Sequence, residues 1–345
     1  MSDHQDETEG TRESALAASN GAPPFWLWPV LVPVLPVVFA LGILEWVGMP
    51  SLQLTEQAVA TDAAAALRHG AARLLFGAAV AVHTAACAGA VVYFTMGLVR
   101  VGGRDLRWIM RMVVAVAAAV IVTMAVLGLL DPPLSVYQYT YYLIANLLTL
   151  SAAGADLLGT IGGVPILGMC VLFPTALGVV AVVMASGVAC GVLRRVGPNG
   201  DPQWTARLVE YTRVLLHCFY LLSAMLVTSS AAASLFFRLP LGLVSTASDH
   251  EAVLAALSGY AGTLSAFWGA IFTVTLFAAF VGPVAVLYAR ARIAVAGVDG
   301  GITVAAWLKE QGIGVSFTDN VKNLFVLLAP FLVGPLGELA KSLGG

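Results

Sequence analysis

Long apolar runs separated by short polar stretches dominate the pattern along this chain. Six runs reach the roughly 20 helical residues needed to cross a hydrocarbon core of about 30 Å. They are Phe25 to Met49, Leu74 to Val99, Met110 to Leu130, Val164 to Leu193, Val214 to Phe237 and Leu264 to Ala289. The pattern predicts an all-α, polytopic helical bundle of six transmembrane helices, arranged as three hairpins.

The polar stretches set an orientation. Arg100, Arg104, Arg107 and Arg111 follow the second run, Arg194, Arg195, Arg207 and Arg213 follow the fourth, and Arg290, Arg292 and Lys309 follow the sixth. The stretch from 131 to 163 carries no basic residue, and only Arg68 and Arg73 stand between the first two runs. The positive-inside bias then puts both termini in the cytoplasm. Trp26, Trp28 and Trp46 fit aromatic belts at the two interfaces of the first span.

Composition agrees with the pattern: 59% of residues are hydrophobic and 10% charged, against roughly 25% charged in an average soluble domain. The first thirteen residues hold Asp3, Asp6, Glu7, Glu9 and Glu13. That acidic stretch is too polar to bury a core, so residues 1–24 are expected to form a disordered tail, unlike a signal peptide with its basic start. Residues 25–289 form the membrane domain and 290–345 a cytoplasmic C-terminal segment. Arginine outnumbers lysine fourteen to three amid abundant Ala, Gly and Val, which favours a bacterial source and the cell inner membrane.

Within 290–345, "AAWLKEQG" predicts a short amphipathic helix stopped by Gly312. The apolar stretch from Leu324 to Leu336 falls short of a crossing and contains Pro330 and Pro335, so it reads as an interfacial helix. The links between spans one and two and between spans five and six share a proline, an acidic patch, and an amphipathic segment ending near a glycine, which suggests a repeated unit. The middle outer loop crowds Tyr137, Tyr139, Tyr141 and Tyr142 before Asn146 and Asp156. It reads as an interfacial helix, with Tyr137, Tyr139, Tyr141 and Asp156 as candidate interaction residues.

Chemistry is sparse. Cys87, Cys170, Cys190 and Cys218 all lie in apolar runs without a CxxC pair, so they read as small hydrophobes. His83 and His217 differ in depth by roughly 15 to 20 Å, too far to share a haem iron. His83 and Cys87 share a helix face and supply only two metal ligands. Asp249, His250 and Glu251 are consecutive and diverge on a helix. No GxSxG, HExxH or GxxxxGK[ST] motif occurs, so no catalytic residue, cofactor or metal site is assigned and no enzyme activity is expected.

Two functional classes remain. A scaffold, sensor or partner-binding subunit would work through the tyrosine loop, or through the arginine clusters and C-terminal helix, with a protein partner or a second copy, in contact with lipid and without nucleic acid. A transporter or channel would use a path past His83, Cys87, Ser229 and Ser230. The small residues Gly77, Ala81, Ala85, Ala88 and Gly89 around His83 predict a close helix contact, across which an imidazole serves as interhelical glue. The glue reading prevails because no midplane carboxylate accompanies the histidine.

Overall fold

A computed structural model describes residues 25–47, 63–102, 106–129, 149, 164–195, 204–244, 250–296 and 303–311. Over these residues the chain is almost entirely helical. A 3-10 segment, Phe25–Val34, leads into α1 (Leu35–Val47). Then come α2 (Ala63–Gly102), α3 (Leu106–Leu129), α4 (Val164–Arg195), α5 (Trp204–Arg238), a 3-10 turn at Leu239–Gly242, α6 (Glu251–Ala296) and α7 (Val304–Glu310). Four helices, spanning Leu67–Val101, Phe173–Leu193, Trp204–Gly242 and Glu251–Ala296, are long and apolar enough to cross a membrane. The acidic tail, the middle loop and the stretch from Leu324 to Leu336 lie outside the described residues.

The helices overrun the apolar runs that nucleate them. α2 has 40 residues and α6 has 46, lengths of about 60 and 70 Å at 1.5 Å per residue. The amphipathic segments before spans two and six are therefore not separate pieces. Helix continues through Gly70, Gly259 and Gly262, each with open space where a side chain would stand. A glycine costs a helix only about 1 kcal/mol, which neighbouring turns easily offset. The first span departs the other way: Pro29, Pro33 and Pro36 each remove a backbone donor, and its first ten residues wind as a 3-10 helix.

α4 is the axis of the bundle. Its residues 181 to 192 are buried on every side, and α2, α3, α5, α6 and the N-terminal 3-10 segment all pack on it. Such all-round burial needs close approach, which glycine provides. A Cβ at Gly187 would lie 2.7 Å from Ile109 Cγ2, and one at Gly191 would lie 2.7 Å from Val101 Cγ2. Gly178 approaches Cys87, and Val188 approaches Gly97. Residue numbers rise together along these contacts, so α2 and α4 run parallel.

α5 runs antiparallel to α2, since Gly242 meets His69 while Glu210 pairs with Arg100 at the other end. α5 and α6 pack extensively against each other. The first segment packs chiefly against α4 and α6 instead of its sequence neighbour α2.

α2 buries a narrow stripe. His69, Phe76, His83 and Ala90 recur every seven residues, and so do Cys87, Phe94 and Val101, the spacing of helices that cross at a shallow angle. The stripe corrects one expectation. Gly77, Ala81, Ala85, Ala88 and Gly89 all face outward, because the heptad places the larger His83, Cys87 and Phe94 on the contact side. Close approach comes instead from Gly97 on α2 and the glycines of α4.

Candidate functional site

Three helices meet at His83. The residue is 5% exposed, and its Nδ1 lies 3.1 Å from Thr228 Oγ1 on α5. The Thr228 hydroxyl donates its own proton to the Met225 carbonyl at 2.7 Å. That leaves a lone pair for His83, so the network assigns the imidazole proton to Nδ1, which donates to Thr228.

Cys87 stands one turn further along α2 and is fully buried. Its Sγ lies 3.6 and 3.7 Å from the two ring nitrogens of His83. Near-equal distances put the sulfur against the ring itself, a soft packing contact, and not along one nitrogen's lone pair. The thiol donates weakly to the Pro174 carbonyl of α4 at 3.8 Å. A histidine and a cysteine of α2 thus reach α5 and α4 together.

The sequence named His83 and Cys87, and the structure brings them together. It also named Ser229 and Ser230, neither of which is the partner of His83. Ser229 is half-buried, and the buried Ser230 Oγ has no hydrogen-bond partner. Thr228 is the partner instead. A depth count reveals it: His83 follows the start of its apolar run by as many residues as Thr228 precedes the end of its own. Pro174 is a proline inside α4, and its carbonyl carries no sequence signal. Tyr137, Tyr139, Tyr141 and Asp156 lie outside the described residues.

The arrangement is suited to holding helices. The Thr228 hydroxyl and the Cys87 thiol donate to backbone carbonyls, and the imidazole N–H donates to the Thr228 hydroxyl. Among the described residues no three His, Cys, Asp or Glu side chains gather in a way that could hold a metal ion.

The arginine-rich end shows a second set of contacts between helices. Arg100 of α2 pairs with Glu210 of α5. Arg290 Nη1 of α6 donates at 3.0 Å to the Leu193 carbonyl in the last turn of α4. This satisfies one of the acceptors a helix leaves open at its C-terminus and complements its dipole. Arg213 of α5 donates at 2.6 Å to the Gln311 carbonyl just past α7.

α7 is the predicted amphipathic helix. Thr303 caps its start by accepting from Ala306 N at 3.2 Å, and Trp307 and Leu308 are buried in the main core. Three arginines expected to face a partner are therefore bonded within the chain. Two others lie over rings: the guanidinium carbon of Arg111 is 4.8 Å from the centroid of Trp108, and that of Arg292 is 5.3 Å from the centroid of Tyr288.

Comparison of the chain with protein-family models, with curated proteins and with solved structures found no match.

Proposed function

We propose that this chain is a non-catalytic, multi-pass membrane scaffold or partner-binding subunit. It has six spans and sits in a bacterial inner membrane, with both termini and the arginine-rich end in the cytoplasm. The contact between His83 and Thr228 carries the reading. The histidine at mid-depth is sealed inside the bundle, and its proton is held by a hydroxyl that is itself bonded to backbone. A group committed in this way joins helices; a proton carrier has to meet water or a second titratable group on each side. The arginine contacts at one end favour the same reading, since they tie α2 to α5, α4 to α6 and α5 to α7. A partner would meet the outward face of α7, where Ala305, Ala306, Lys309 and Glu310 are exposed.

The test is ion and proton flux into proteoliposomes of the purified protein under a membrane potential, for wild type and His83→Ala. The scaffold reading predicts flux at the level of protein-free vesicles for both. Flux in wild type that is lost in a folded His83→Ala protein would overturn it in favour of transport.

A further inference from the structure

We infer that Arg111 and Arg292 form headgroup sites for anionic phospholipid, distinct from the arginines that tie helices together. The inference rests on the membrane-spanning reading, with the arginine-rich end at a membrane surface. Both residues are exposed, and neither has a carboxylate partner among the described residues. Arg100, Arg213 and Arg290, by contrast, are each bonded to an acceptor of the chain.

Each guanidinium lies over an aromatic face of its own helix, Trp108 one turn before Arg111 and Tyr288 one turn before Arg292. A ring attracts the guanidinium charge without accepting its N–H donors as an oxygen acceptor would. Those donors match a phosphate in fork geometry. Exposed apolar side chains adjoin both: Met110 and Val114 beside Arg111, Tyr288 and Ile293 beside Arg292. A cation with free donors next to apolar surface fits a lipid, whose phosphate and acyl chain need both at once. Free phosphate would use only the first.

The expected preference follows from surface electrostatics, in which one arginine near a membrane favours anionic lipid by about fivefold. The protein, purified in neutral detergent, is offered equal amounts of phosphatidylglycerol and phosphatidylcholine, and the retained lipid is counted by native mass spectrometry. Wild type is expected to retain several-fold more phosphatidylglycerol, and millimolar inorganic phosphate to displace little of it. Arg111→Gln with Arg292→Gln is expected to remove most of the preference. Arg111→Lys with Arg292→Lys keeps the charge and is expected to keep most of it, which also guards against a fold defect in the first variant. Equal retention of the two lipids by wild type, an unchanged preference in the glutamine variant, or full displacement by inorganic phosphate would each overturn the inference. Release of the chain from native membranes by alkaline carbonate would instead defeat the membrane reading beneath it.

Discussion

His69 and His83 lie fourteen residues apart on one buried stripe of α2, and the chain treats them differently. His83 gives its proton to Thr228 and packs against Cys87, which reaches α4. His69 is 1% exposed, and neither of its ring nitrogens has a hydrogen-bond partner. Its neighbour across the helix contact is Gly242, in the 3-10 turn after α5. A Cβ at Gly242 would lie 3.1 Å from the Cα of His69 and 3.3 Å from its backbone nitrogen. One region is joined by polar side chains, the other by close approach of two backbones. Burial on the right face therefore does not give an imidazole a role; the partner on the facing helix does.

The largest expected effect breaks the polar region. His83→Ala removes a buried ring and its bond to Thr228, and is expected to cost about 3 kcal/mol of stability, read as thermal unfolding in detergent. An unchanged midpoint would mean that the ring contributes little to the contact.

Gly242→Ala breaks the other region. Its new methyl meets the backbone of α2, which cannot rotate aside, so a loss of about 2 kcal/mol is expected. Gly178→Ala is the matched control beside the polar site. Its Cβ would meet only Cys87 Sγ, at an ordinary 3.8 Å, and it should be tolerated to within about 0.5 kcal/mol. Equal losses in the two variants would remove the distinction between the regions.

One change is expected to act with the opposite sign. His69→Leu replaces two unpartnered nitrogens by carbon of similar bulk and is expected to stabilise by about 1 kcal/mol. A loss instead would show that His69 has a role which its packing does not reveal.

The apolar runs made the helices legible, and five of the six expected spans lie largely within one observed helix each. Their lengths were less legible, because Gly70 and Gly259 look like stops while the flanking alanines and leucines carry helix past them. The contact face was misread for a related reason. Gly77, Ala81, Ala85 and Gly89 form a plausible small-residue seam, yet a helix shows its larger side chains to neighbours when those neighbours supply the glycines, as α4 does. At the site, the two residues from one helix were visible in the sequence, since i and i+4 spacing is local. A depth count adds Thr228 from the facing helix, but the Pro174 carbonyl was not visible, because a backbone carbonyl has no sequence signal and the register between helices is set by packing over the whole bundle.

A double-mutant cycle on His83→Ala and Thr228→Val, with unfolding free energies measured in detergent, tests most directly whether His83 serves to join helices. The account predicts a coupling of about 0.5 to 1.5 kcal/mol, the range of hydrogen bonds between membrane helices. Additive effects, with no coupling, would contradict it and leave the buried histidine without the task assigned to it here.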